Sequence, residues 1–369
     1  MGLRVGFDAS VTLLPERRGI ARYTMELLKA LVATRPADVE LVVLLNSLRH
    51  RAGDEHAFLR EAPGVTLVER RVPGPALLAA WGRGLPPGWE TLTGQRCDVV
   101  HAAASYIPPA SCPVVATVFD LGFLRDEGPG ERHGGAWFRR AYPRLLPRTA
   151  AIVTPSRHVA ADVAATYPAV ADRITAVHLG IDTAVFQPVA RPDDITRLAA
   201  VGMAAPYILA VTDPNPRKRP ALVPAVAHAL ATKGVAVPVV AVGHGAAPLA
   251  GVRCLPWVDD ATLAALYRHA AVVLLTSREE GFGFPLLEAM ACGAPVVAGR
   301  HSSLAEIGGT FANWAMEETA EGFARAVVAT IGAGAPAGAA SHAASFTWGA
   351  CARATLAVYR QTATCAGGP

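Results

Sequence analysis

A chain of 369 residues, 52% apolar and 17% charged, is long for one hydrophobic core and apolar enough for two, which excludes an extended disordered chain. A net charge of +4 leaves room for local basic patches but not for an extended nucleic-acid footprint, so no nucleic-acid partner is expected. The six cysteines (Cys97, Cys112, Cys254, Cys292, Cys351 and Cys365) show no CxxC or His-paired spacing, which argues against a zinc site or a disulfide framework.

Arg4 and Asp8 flank the first apolar run, Leu3-Arg4-Val5-Gly6-Phe7, so it reads as a strand and not as a secretory leader. A polar loop, Pro15-Glu16-Arg17-Arg18-Gly19, precedes a helix with apolar residues at Ile20, Tyr23, Leu27, Leu28 and Leu31. Strands are predicted over 39–45, 65–68, 99–100, 114–119, 151–154 and 174–179, and helices over 57–61 and 158–167, the latter capped by Ser156. The proline-punctuated stretch 186–194 reads as an interdomain linker. Beyond it the alternation resumes: strand 207–212, helix 221–232, strands 237–243 and 252–255, helix 261–269 and strand 271–275. Residues 332–345 are rich in Ala and Gly and are predicted to be a loop, and a last helix is predicted over 348–361. Strands alternating with helices imply βαβ units and mostly parallel sheets, an α/β protein in two domains. The uncharged windows 234–252 and 326–352 are broken by Gly and Pro or rich in Ala and Ser, so neither reads as a membrane span; a soluble, cytoplasmic protein is expected.

Open α/β sheets bind ligands at the carboxyl ends of their strands, and three stretches converge there. Gly19 lets backbone approach an anion at the start of the first helix. The loop Pro214-Asn215-Pro216-Arg217-Lys218-Arg219 crowds three cations after a strand, and Arg and Lys both suit phosphate. In Glu280-Gly281-Phe282-Gly283-Phe284-Pro285, small residues lead into a helix that carries Glu288, eight residues after Glu280. Each also has a plainer reading, as an ordinary loop, a solvated basic turn or two incidental glutamates. Gly243-His244-Gly245 follows a strand, but Pro248 interrupts any dinucleotide-type helix. His101 and His178 end strands and fit structural histidines as well as ligands. Arg132, Arg139, Arg140, Arg144 and Arg148 surround Trp137, Phe138 and Tyr142, a pattern that suits an anionic membrane surface, a phosphorylated acceptor or a solvated helix face.

The stretch EGFGFPLLEAMACGAPVVAG resembles the Glu-x7-Glu signature of the retaining family-four glycosyltransferases of GT-B fold. The similarity continues through WVDDATLAALYRHAAVVLLTS, FDASVTLLPERRGIARYTMELLKAL, TVFDLGFLR, VTPSRHVAADV and VHLGIDTAVFQP, in family order over most of the chain. Its closest flavour is the mannosyltransferase-like branch that builds bacterial polysaccharides. The resemblance implies two Rossmann-like domains facing across a central cleft: residues 1–188 joined by the final helix 348–369, and residues 200–345. It implies a nucleotide-sugar donor held mainly by the second domain and a glycan, lipid-linked or small-molecule acceptor over the first. Glu288 would hold the ribose, Glu280 and the backbone of Gly281, Phe282, Gly283 and Phe284 the sugar, with Leu287 alongside. Arg217 and Lys218 would grip the diphosphate with help from Gly19, Trp257 and Val258 would meet the base, and Asp120 would join the catalytic set. Fixed cations and N–H dipoles suit the departing diphosphate, so no metal or other cofactor is expected.

Three departures stand out. Phe119 precedes Asp120 where the family usually has histidine beside the donor sugar, Ala21 stands where relatives often have glycine, and Thr212 where some carry a phosphate-binding arginine. Phe119 keeps a non-catalytic sugar-nucleotide-binding protein as an alternative. The carboxylate pair keeps a glycoside hydrolase as a weaker one, since hydrolases need no cationic grip on a diphosphate.

Overall fold

The computed structural model describes residues 2–15, 19–125, 135–243 and 248–366. Glu16, Arg17, Arg18, Arg132, His244 and Gly245 of the motifs above lie outside these residues. The chain divides into two compact units, one running to Gly180 and resuming at Trp348, the other spanning Ile181–Thr347.

The first unit holds strands β1 (Leu3–Asp8), β2 (Val39–Asn46), β3 (Val65–Arg70), β4 (Val99–Ala102), β5 (Val114–Thr117), β6 (Ala151–Thr154) and β7 (Ile174–Ala176). They form one parallel sheet in the order β3-β2-β1-β4-β5-β6-β7. The inner strands β4, β5 and β6 are buried along their whole length, as parallel strands covered on both faces must be, while the edge strands β3 and β7 are largely open. The helix Ile20–Thr34 buries Leu27, Leu28 and Leu31 completely, each contributing about 1.5–3 kcal/mol of transfer free energy. Ser156 accepts a hydrogen bond from the Val159 N–H and caps the helix Arg157–Thr166, as its sequence predicts.

The last helix, Trp348–Ala366, packs on Ile20–Thr34 and completes the first unit. A buried polar chain fixes it there. The Tyr359 hydroxyl is 2.6 Å from His101 Nδ1, His101 Nε2 is 2.8 Å from Thr117 Oγ1, and Thr117 Oγ1 is 3.0 Å from the Tyr23 hydroxyl. Burial lowers the His101 pKa to about 3, so the ring is neutral, a structural histidine and not a ligand.

The second unit holds β8 (Ile208–Val211), β9 (Val239–Val242), β10 (Arg253–Leu255), β11 (Val272–Leu275), β12 (Val296–Gly299) and β13 (Asn313–Ala315), all parallel in the order β10-β9-β8-β11-β12-β13. In both sheets the order reverses once, at β1/β4 and at β8/β11, the place where such sheets bind ligands.

Two sequence expectations fail here. Residues 186–194 are not a free linker. Phe186 is buried against Tyr267, and Asp194 opens a helix (Asp194–Ala200) and pairs with Arg268, whose Nε lies 2.7 Å from Asp194 Oδ2. Pro188, Pro192 and Asp193 stay exposed, while Phe186 and Asp194 are buried in the second unit. Residues 332–345 are not one loop either: the helix Ala320–Ala333 reaches into them and a short helix follows at Ala339–Ala344. Alanine's helix propensity outweighs the breaking effect of scattered glycines, and only the segment around Gly334 and Gly338, both at positive φ, stays non-helical.

Candidate active site

The loop after β8 is built to present cations. Asp213 Oδ1 accepts from the Asn215 N–H (2.8 Å), and Asn215 Oδ1 accepts from the Arg217 N–H (3.1 Å), capping a tight turn at Pro216–Lys218. The residues after β11 grip this loop from the neighbouring strand. Thr276 Oγ1 donates to the Lys218 carbonyl (2.8 Å), and the Arg278 N–H donates to the Arg217 carbonyl (2.7 Å). Arg219 sits in the left-handed region at φ +47, a conformation that needs external support in a non-glycine residue. Its Nε donates to the Thr276 carbonyl (2.7 Å), its Nη1 to Glu318 Oε2 (2.9 Å), and its guanidinium lies 5.8 Å from the Phe323 ring centre. Arg219 is therefore part of the loop's anchorage, and Arg217 and Lys218 are the cations that reach Glu280.

Lys218 Nζ donates to Glu280 Oε1, and Arg217 Nη1 lies 3.7 Å from Glu280 Oε2. The Glu280 side chain is 10% exposed, that of Lys218 12% and that of Arg217 25%. Burial alone raises the Glu280 pKa, but the Lys218 and Arg217 charges and hydrogen bonds from Lys218 and Ser277 outweigh it, leaving the carboxyl below its ordinary range. Ser303 Oγ donates to the Glu280 carbonyl (2.7 Å) and fixes its backbone.

Gly283 caps the helix Phe284–Ala291 at φ +101, an angle that favours glycine, and a Cβ there would lie 2.7 Å from Leu304 Cδ2, which would have to shift. Pro285 stands in the first turn, where its missing N–H leaves no donor unpaired. The aromatic neighbours of the glycines are packing groups: Phe282 is buried, edge-on to Phe284 (5.3 Å) and to Phe346 (6.1 Å). A ligand would meet this turn through its backbone. Glu288 is 2% exposed and accepts from the Tyr267 hydroxyl at 3.3 Å. Leu287 is fully buried among the core residues. Trp257 and Val258 follow β10, with Trp257 56% exposed and Val258 9%. Thr212 is buried at the end of β8, and a Cβ on Gly243 would lie 1.6 Å from its carbonyl oxygen.

Gly19 and Asp120 belong to the first unit. Gly19 caps the helix Ile20–Thr34 at φ +50, an angle that favours glycine, with nothing within 4 Å of an added Cβ among the described residues. Asp120 Oδ1 accepts from the Gly122 N–H (2.9 Å), and the Phe119 ring packs edge-on against Tyr23 at 4.9 Å. The structure thus brings Arg217, Lys218 and Glu280 into contact within one unit. Sequence reasoning missed Thr276, Ser277, Ser303 and Tyr267. Thr276 and Ser277 carried a signal, as hydroxyls ending an apolar strand; Ser303 and Tyr267 carried none.

The aromatic–basic segment resolves into two parts. Phe138 stacks on Tyr106 and meets Phe123 at a tilt and Tyr142 edge-on, Trp137 meets Tyr106 edge-on, both pack on the first core, and the Trp137 Nε1–H donates to the Leu78 carbonyl (2.6 Å). Arg139 donates to the Phe123 carbonyl (2.5 Å), while Arg140, Arg144 and Arg148 are exposed. Among the described residues, no cluster of three or more His, Cys, Asp or Glu could hold a metal ion, and no helix is long and apolar enough to cross a membrane.

The family described as Glycosyltransferase Family 4 matches residues 17–185, and the one described as Glycosyl transferases group 1 matches residues 206–332, between them most of the chain. The chain is 47% identical over 58 residues to an O-antigen chain mannosyltransferase B of Escherichia coli, covering 16% of this chain and 15% of that protein. It is 32% identical over 232 residues to D-inositol 3-phosphate glycosyltransferase 2 of Catenulispora acidiphila, covering 55% and 54%. With an MMP alpha-(1->4)-mannosyltransferase of Mycolicibacterium hassiacum it shares 26% identity, over 69% of this chain and 72% of that one. Among solved structures, the sucrose-phosphate synthase of Thermosynechococcus elongatus superposes with a TM-score of 0.70 at 16% identity, covering 98% and 100% of the two chains. HepE of Anabaena, solved with UDP and glucose, gives 0.59 at 18% identity, covering 98% and 99%. These likenesses show the GT-B fold. The chain belongs to the family-four-like glycosyltransferases of GT-B fold.

Proposed function

We propose that the protein transfers a hexose, with retained configuration, from a nucleoside diphosphate sugar to a hydroxyl of a glycan, lipid-linked or small-molecule acceptor in surface-polysaccharide or glycoconjugate synthesis. The observation that carries this reading is the Arg217–Lys218–Glu280 contact at the β8/β11 switch point. Two fixed cations beside a glycine turn and a helix start suit a departing diphosphate as it gains charge. Glu280, its carboxyl held below the ordinary range by them, is unsuited to act as a general acid, and a hydrolase would need no such pair of cations beside its carboxylates. In this reading Glu280 addresses the donor sugar, Glu288 the ribose after its Tyr267 contact loosens, Trp257 and Val258 the base, and Gly19 the diphosphate. Asp120 serves on the acceptor's side. The enzyme's task is orientation and electrostatics, with no resident metal. Mannose fits the mannosyltransferases among the relatives, and UDP-glucose is the donor bound in one HepE structure.

Titrating UDP, GDP, ADP and TDP, bare and sugar-linked, in a thermal-shift assay identifies the base. Lys218→Ala is then expected to weaken diphosphate binding and to abolish transfer. Turnover equal to wild type in both Lys218→Ala and Glu280→Ala would sink the assignment. Phe119, packed on Tyr23 where the family's histidine usually stands, favours one second reading, a non-catalytic nucleotide-sugar binder. Donor binding with neither transfer nor donor hydrolysis across many acceptors would establish it. The exposed Arg140, Arg144 and Arg148 suit a peripheral contact with an anionic inner membrane face. Arg140→Glu/Arg144→Glu should then cut sedimentation with anionic vesicles, and no sedimentation of the unaltered protein ends that idea.

A further inference from the structure

The carboxyl edge of the first sheet carries a second concave feature, away from the β1/β4 switch point. A cavity of about 240 Å³ opens at the ends of β2 and β3, with a floor of Leu13 and Leu45 and a rim that includes His50, Arg51, Arg70 and Arg71. Among the described residues that line it the one carboxylate is Glu69, and it is answered by Arg60, whose Nη2 lies 3.0 Å away. Three arginines therefore line one small space: Arg70 Nη1 donates only to the Glu69 carbonyl (2.9 Å), and none of the three is paired with a carboxylate among the described residues. Arg51 is exposed and makes no side-chain hydrogen bond or ion pair among the described residues. Such convergence is unfavourable when empty and favourable around an anion.

The rim is also held in place. Asp8 Oδ1 accepts from Ser10 Oγ (2.6 Å), Ser10 Oγ accepts from the Asn46 N–H (3.0 Å), and the Asn46 amide grips Val72 at both N–H (2.8 Å) and carbonyl (3.2 Å). The Ser47 N–H donates to the Arg70 carbonyl (3.2 Å), and Arg71 Nη2 donates to the Leu48 carbonyl (2.8 Å). A polar chain from the end of β1 thus sets the backbone that bears Arg70 and Arg71, a preorganisation that a solvated basic turn would not need. The volume falls below the roughly 300–1,000 Å³ of pockets for drug-sized ligands, so it suits one charged group and part of its carrier. Planar guanidiniums favour phosphate and carboxylate oxygens.

We propose that this cavity binds the anionic group, phosphate or carboxylate, of an acidic acceptor. The inference rests on the transferase reading, in which the acceptor meets the first unit. It makes the enzyme selective for charged over neutral acceptors. The test measures binding of inorganic phosphate, glucuronic acid and neutral glucose to the full chain by titration calorimetry at low salt, with wild type, Arg70→Gln/Arg71→Gln, Arg51→Gln and Lys218→Ala compared. One or both anions are expected to bind wild type and Lys218→Ala alike, and which anion binds tells phosphate from carboxylate. Binding should weaken tenfold or more in Arg70→Gln/Arg71→Gln and several-fold in Arg51→Gln, which breaks no hydrogen bond or ion pair among the described residues. Glucose should not bind. Absence of anion binding to wild type, equal binding by all rim variants, or loss in Lys218→Ala alone would overturn the proposal. Failure of the transferase reading shows elsewhere, as no nucleoside diphosphate binding by wild type or as donor binding with neither transfer nor donor hydrolysis.

Discussion

Replacing Glu280 by Gln separates two roles that the contact with Lys218 and Arg217 entangles. The substitution keeps volume and removes one negative charge from beside two cations that are 12% and 25% exposed. Without a ligand, Glu280 satisfies both cations, so an incoming diphosphate competes with it. A hydrogen bond to a charged group contributes about 1.5–3 kcal/mol net. Releasing Lys218 from the carboxylate should return the lower part of that range to the ligand, tightening binding of the bare nucleoside diphosphate about tenfold. Transfer should fall by two orders of magnitude or more, because the group assigned to the sugar is gone. Calorimetric titration with the bare nucleotide and a discontinuous transfer assay read the two effects separately. Tenfold weaker nucleotide binding would refute the competition argument, and near-normal turnover would refute the role at the sugar.

Two further outcomes follow from buried polar groups. Asp194→Ala strands Arg268, whose side chain is 3% exposed, and should cost about 3–5 kcal/mol. For a unit of this size that lowers the melting temperature by roughly 6–20 °C, and Arg268→Met added to it should recover much of the loss; a double variant no better than the single one would show that the pair is not the cause. The Asp194 pKa is lowered, first by its hydrogen bond from Arg268, so the pair's stabilisation holds above the ordinary carboxylate pKa and fades as pH falls through the depressed folded value. His101 acts over a different window. Its pKa falls to about 3 in the folded chain, so below the free-histidine value the unfolded chain binds the extra proton. Stability of the first unit should decline from about pH 6.5 downward, by about 2 kcal/mol at pH 5, and denaturant melts of His101→Gln should show a flatter pH profile than wild type. An unchanged profile would count against a neutral, buried ring.

Much of this was readable from residues alone because apolar periodicity is local. Val272–Leu275, Gly283 and Pro285 dictate strand, turn and helix wherever they occur, and the glycine-led turn and the cationic loop announced themselves by composition. What sequence could not supply was which groups meet. Arg219 reads like its two neighbours, yet Glu318, 99 residues on, draws it out of the cationic set. Leu287 sits beside Glu288 in the signature, but the helix turns it into the core. Residues 186–194 have a linker's composition; only Tyr267 and Arg268, distant in sequence, make them structural. The arginines at the ends of β2 and β3 meant nothing until the parallel register set those strands side by side.

The return of Trp348–Ala366 to the first helix also orders events during synthesis. A ribosome releases residues 1–180 long before the segment that completes their unit, while residues 181–347 emerge as an uninterrupted stretch. The second unit can therefore mature first, although it is encoded later, and the first must wait, its His101 lacking Tyr359 until 258 more residues have been made. A chain cut short near Thr347 would keep its cationic loop and glycine turn intact while leaving the opening helix bare along one side, a species prone to self-association.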